Sequence, residues 1–160
     1  MYTWAVRIIG VGNPWRSDDG AGLAVARALR DGALPAGVEV VECEGEPASL
    51  IDAWHGARAV WVVDAVRSGA PPGTIHRFDA TEGPLPAALF AASTHHLGVA
   101  DAVELARALG RLPPRLVFFG IEGACFDAGE TLTPAVAAAV EQLDLKVGDE
   151  VATFRWEARD

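Results

Sequence analysis

The sequence is poor in cysteine and in basic residues, and it has no long hydrophobic run. Its two cysteines, Cys43 and Cys125, are too few and too far apart for a disulfide framework or a paired-cysteine metal site. Lys and Arg number 13 against 22 Asp and Glu, a formal net charge of −9. A nucleic-acid backbone is gripped by neutralising its phosphates with Lys and Arg, so this balance argues against nucleic acid as a partner. It argues equally against an anionic membrane surface. No stretch approaches the ~20 uncharged apolar residues of a spanning helix. Residues 1–4 lack the basic segment and long apolar run of a secretion signal. The expectation is a soluble, reduced, cytoplasmic protein that works as a monomer.

What is present suits a globular domain. A chain of 160 residues, 51% hydrophobic and 22% charged, can bury roughly 70% of its extended surface on folding. Residues 1–160 read as a single domain without repeats or low-complexity linkers; the tail 144–160 is mixed and carries no assignment. Short apolar runs alternate with segments of helical period. Strands are expected at 5–11, 38–42, 59–63 and 115–121, and helices at 20–30, 48–54, 97–109 and 134–143. The run 59–63 is apolar throughout, the mark of a strand buried on both faces. A Gly- and Pro-rich turn at 69–73 leads into 74–78, which reads as an antiparallel edge strand. The fold class is therefore α/β: a three-layer αβα, doubly wound, mostly parallel sheet with one antiparallel edge. In such sheets, ligands sit outside the carboxyl ends of the strands.

Three polar clusters fall at those ends. The first spans 10–22 and begins like a dinucleotide-binding loop, but Trp15 stands where the third glycine of G-x-G-x-x-G belongs. Two carboxylates at the helix start would also repel a pyrophosphate. Asp18 reads as a helix N-cap, with Ser17 as the alternative. Capping uses only one acid, which leaves Asp19 without a structural task. The second cluster is Asp64, at the mouth of the 59–63 strand. A buried acid needs a cation, an N–H group or a metal, and its local alternative is the 65–68 backbone. The third is 93–98, Ser-Thr-His-His-Leu-Gly, ahead of a helix. Neighbouring side chains diverge, so at most one of His95 and His96 is a ligand.

His55 at a helix end and His76 on the edge strand read as structural, and Cys125 as an inert thiol. Two carboxylates and one imidazole make a candidate divalent-metal site with open positions. The same residues would serve an Asp–His pair in acid–base work. Neither G-x-S-x-G nor H-E-x-x-H occurs.

In order along the chain come Ile8-Ile9-Gly10-Val11-Gly12-Asn13, Asp18-Asp19-Gly20-Ala21-Gly22, Val62-Val63-Asp64-Ala65, His95-His96-Leu97-Gly98, Gly120-Ile121-Glu122 and Leu132-Thr133-Pro134. This series resembles the NiFe-hydrogenase maturation endopeptidases over almost the whole chain. The resemblance implies removal of a C-terminal extension from the precursor of the hydrogenase large subunit, after nickel insertion. It also implies that Asp19, Asp64 and His95 contact the metal and carry the site, with nickel belonging to the substrate and no organic cofactor. The chain departs from the family pattern at Gly45-Glu46-Pro47 and at Gly123. How the peptide bond is attacked stays open between a metal-polarised carbonyl or activated water and an aspartate general base. Two other readings stand beside it. One is a non-catalytic chaperone or binding module for a metalloprotein precursor. The other is a metal-dependent exopeptidase or amidase, a class that usually carries more ligands than these three.

Overall fold

Over residues 5–90 and 98–155, which the computed structural model describes, strands and helices alternate along the chain. The order is β1 (Val6–Val11), α1 (Ala21–Asp31), β2 (Val38–Cys43), α2 (Pro47–Trp54), β3 (Ala59–Val66), β4 (Ile75–Asp79), α3 (Val99–Ala108), β5 (Arg115–Glu122) and α4 (Pro134–Thr153). The sheet runs β2-β1-β3-β5-β4, parallel except for β4, which pairs antiparallel with β5. This is the doubly wound sheet with an antiparallel edge that the sequence pattern predicts.

Alternation along the strands sends successive side chains to opposite faces, and each face builds its own core. Ile8, Trp61, Val63, Val117 and Phe119 pack under α1 and α4. Ile9, Val60, Val62, Leu116 and Phe118 pack under α2 and α3. The winding changes direction between β1 and β3, because β1 continues to β2 on one side while β3 leads to β5 and β4 on the other. A crevice at the carboxyl ends of the two central strands follows from that reversal.

Glycine lets α1 close onto this crevice. A Cβ at Gly22 would lie 2.2 Å from the Val63 carbonyl oxygen and 2.4 Å from that of Val11, contacts no side chain tolerates. Gly12 has φ +152°, and a Cβ there would lie 1.9 Å from the Asp19 carbonyl oxygen. The single 3-10 turn Ser17–Gly20 and the start of α1 therefore rest directly on the ends of β1 and β3.

Asp18 does not cap a helix. Neither the 3-10 turn nor α1 has a side-chain cap bond. Instead the fully buried Asp18 carboxylate crosses to the loop after β5. It accepts from the backbone N–H groups of Ala124 (2.8 Å), Cys125 (3.0 Å) and Thr133 (2.8 Å), and from the Thr133 hydroxyl (2.8 Å). Those converging donors come from the loop after β5 and from the residue that opens α4, a stronger demand than the first turn of a helix makes. Burial alone would raise the Asp18 pKa; the bonds from Thr133, Ala124 and Cys125 outweigh it and hold the carboxyl below the usual range. Ser17 does not cap either, since its hydroxyl donates to the Asp127 carbonyl at 2.8 Å.

Helix α4 reaches Thr153, so 144–153, left unassigned in the sequence, is helical. Leu143, Val147 and Val151 continue the buried stripe of Val136, Ala139 and Val140 at the spacing of one helix face. Glu150 on that extension accepts from Trp61 Nε1 at 2.9 Å and Arg77 Nε at 2.7 Å.

Two outcomes are expected. Gly22→Ala forces backbone against backbone and should lower stability by about 3 kcal/mol in urea unfolding; a loss near zero would contradict the close approach. Asp18→Asn turns an amide N–H against donor groups and should lose about 3 kcal/mol at neutral pH. Because the folded-state pKa of Asp18 lies below its unfolded value, its stabilisation is full above about pH 4 and fades as pH falls through the folded value. The gap between wild type and Asp18→Asn should therefore narrow in acid. An equal gap at neutral and at strongly acidic pH would contradict this.

Candidate functional site

The crevice at the β1/β3 switch point brings Asp19 and Asp64 together. Asp19 sits on the 3-10 turn beside Asp18 but faces the other way, half-buried rather than sealed. Its Oδ2 accepts the Asn13 N–H at 3.0 Å, so it has a local bond that sequence reasoning did not assign. That bond closes the 13–19 loop and fixes where the carboxylate points.

Asp64 lies near the end of β3, half-buried. Its carboxyl is pushed well above the usual carboxylate range, first by burial and then by the negative charge of Asp19, against a bond from the Ala65 N–H. Asp19 is thus close enough for its charge to oppose the ionisation of Asp64. The expected local alternative is met at Ala65, yet it does not cancel the repulsion.

The Ser68 end of that loop serves another acid. Glu122, 1% exposed at the end of β5, accepts from the Ser68 N–H at 2.8 Å and from the Ser68 hydroxyl. His76 Nε2 stands 3.2 Å from Oε1, the oxygen that also accepts the Ser68 hydroxyl, which agrees with a structural His76. Sequence reasoning assigned Glu122 no role, although the signal was present: like Asp64, it follows directly on an apolar buried strand.

His95 and His96 lie outside the described residues. The helix they precede is oriented by its other end. Arg107, in the last turn of α3, donates to the Ala80 carbonyl at 2.7 Å, and the Ala80 N–H donates to Leu116 near the start of β5. The C-terminus of α3 therefore sits at the amino ends of the strands. Gly98, which precedes its first turn and donates to Asp101 Oδ2 at 3.0 Å, begins the helix toward the carboxyl ends. His95 is three residues ahead of it in sequence.

Among the described residues, no three of His, Cys, Asp and Glu come close enough together to hold a metal ion. Asp19 and Asp64 are a pair, with any third contact still to be supplied. Cys43, at the end of β2, is half-buried and free. Burial pushes its thiol up, and the charges of Glu44 and Asp64 add to that, against bonds from the Gly45 and Glu44 N–H groups; it is a neutral thiol. Beside it a cleft of about 340 Å³ is lined by Cys43, Glu44, Glu46 and Ser49 among others. This is the stretch in which the chain departs from the family pattern. Cys125 is also free; its backbone N–H serves Asp18 and its Sγ lies 3.8 Å from Asp127 Oδ2.

The chain matches the family model HycI, hydrogenase maturation protease, over residues 23–147. It is 30% identical over 152 residues to the hydrogenase expression/formation protein HupD of Rhodobacter capsulatus, covering 94% of this chain and 71% of that protein. It is 29% identical over 140 residues to the hydrogenase 2 maturation protease of Escherichia coli, covering 85% and 84%. Its fold matches the E. coli hydrogenase maturating endopeptidase HybD with a TM-score of 0.76 at 28% identity, over 89% of this chain and 88% of that one. A shared sheet alone would leave function open, but here sequence and fold agree over most of the chain. The chain belongs to the hydrogenase maturation protease family, hydrolases that act on peptide bonds.

Proposed function

We propose that this chain removes the C-terminal extension of the NiFe-hydrogenase large-subunit precursor after nickel insertion, and that Asp19, Asp64 and His95 contact the substrate's nickel as the signal of loading. The observation that carries this reading is the pairing of Asp19 with Asp64 at the switch point, two acids whose mutual repulsion a divalent cation would relieve.

The donor set suits a passing contact. Two carboxylate oxygens and one imidazole leave coordination positions open, so a nickel ion that arrives with its own ligands can borrow these three and leave with the product. A precursor without nickel offers the pair no positive charge, and discrimination is then the difference between the two affinities. In the reaction itself, water adds to the scissile carbonyl carbon, the C–N bond breaks and the leaving nitrogen takes a proton. The carboxylates at the mouth would carry that proton as general base, or the substrate's nickel would supply polarisation of the carbonyl or the water.

The test is intact-mass analysis of purified precursor incubated with the enzyme. Wild type should shorten the nickel-loaded precursor and leave the nickel-free form intact. Asp19→Asn, Asp64→Asn and His95→Ala should each slow cleavage by about 100-fold or more. Full cleavage by all three variants would remove the site assignment, and equal cleavage of the nickel-free form would remove the loading signal. Complex formation with no mass change would favour the binding-module reading instead. Nickel titrated into the isolated protein should bind weakly and wash out on gel filtration; tight stoichiometric retention would contradict a substrate-borne metal.

A further inference from the structure

We infer that Trp15 is the apolar anchor on which the precursor polypeptide docks beside the site, an inference that rests on the proteolytic reading above. Trp15 is 63% exposed, an unusual state for the side chain with the most apolar surface to lose from water. It occupies the position that spoils the dinucleotide-binding pattern.

The backbone beneath it is held firmly. The Trp15 N–H donates to Asn13 Oδ1 at 2.9 Å, and its carbonyl accepts the Gly129 N–H at 2.9 Å. On the next residues, the Arg16 N–H reaches the Asn13 carbonyl at 3.3 Å and the Ser17 N–H reaches the Gly129 carbonyl at 2.8 Å. The indole is thus presented outward from a fixed loop. Rigid aromatic side chains of this kind bind with little ordering cost, and they dominate the energetics of protein interfaces.

The location selects the occupant. Asn13, which holds the Trp15 N–H, also gives its own N–H to Asp19, so the anchor and Asp19 share one closed loop. Next to it, Arg16 Nε donates to the Phe126 carbonyl at 3.3 Å, and the Arg67 guanidinium lies 5.0 Å from the Phe126 ring centroid. An apolar lip edged with guanidinium fits a polypeptide segment that offers one large apolar side chain and free carbonyl groups. A second copy of this chain seated there would cover the mouth that the substrate must reach. Among the described residues, the other exposed large hydrophobics, Leu105, Leu109 and Leu145, lie on or just after α3 and α4 rather than on this loop.

The experiment measures steady-state cleavage of nickel-loaded precursor by Trp15→Ala and Trp15→Phe. The alanine variant should raise KM about tenfold with kcat unchanged within about twofold, and the phenylalanine variant should recover most of the loss. The shift should persist at high salt, because an apolar contact is not screened. In parallel, calorimetric binding of precursor to Asp64→Asn should weaken about tenfold when Trp15→Ala is added. An unchanged KM and Kd, or a fall in kcat at constant KM, would overturn the inference. So would a Trp15→Ala variant that loses self-association while keeping its affinity for precursor. If wild type fails to cleave but the Trp15-dependent affinity remains, docking stands and the cleavage reading falls.

Discussion

The buried carboxylate of Asp18 is the interaction on which the site depends. A fully enclosed anion is tolerated only when hydrogen bonds replace the lost water, and here three backbone N–H groups and a hydroxyl do so. Those donors belong to the connection from β5 to the start of α4, so one side chain joins it to the turn after β1, more than a hundred residues away. Its neighbour Asp19 inherits the resulting rigidity. On the tight turn the two acids point to opposite sides, one sealed and one open to the crevice. The double acid sets a structural group beside a candidate functional group, and the first fixes the position of the second.

Close packing of the backbone does the rest of the positioning. Gly22 lets the first turn of α1 touch the carbonyls of Val11 and Val63, and Gly12 lets the returning chain lie against Asp19. Without those contacts the 3-10 turn would stand off the sheet and Asp19 would lie farther from Asp64. The Asp64 pKa, raised first by burial and then by the charge of Asp19, is in keeping with that enforced approach. A site that keeps two acids together at some electrostatic cost is suited to a cation that comes and goes, because the cation's arrival relieves the cost.

The sheet and most helices were legible in the sequence because each rests on a local pattern: the apolar run 59–63, the alternation at 74–78, the helical period of 20–30. The second half of α4 was not, since Asp144, Lys146, Gly148 and Asp149 dilute its stripe and only contact with the sheet and α1 reveals the buried face. Asp19 and Asp64 were legible as strand-end acids. The task of Asp18 was not, because its partners lie more than a hundred residues away and local rules point to capping. Glu122 shows the same gap: its partners Ser68 and His76 become neighbours only when β3 and β4 pair with β5.

The central claim is that nickel carried by the substrate is sensed by residues of this chain. Nickel-edge X-ray absorption of the loaded precursor, alone and bound to the enzyme, tests it most directly. The account predicts that nickel gains oxygen or nitrogen donors in the complex with wild type and gains none in the complex with an Asp19→Asn/Asp64→Asn double variant. Identical nickel spectra for the free precursor and the wild-type complex would contradict it.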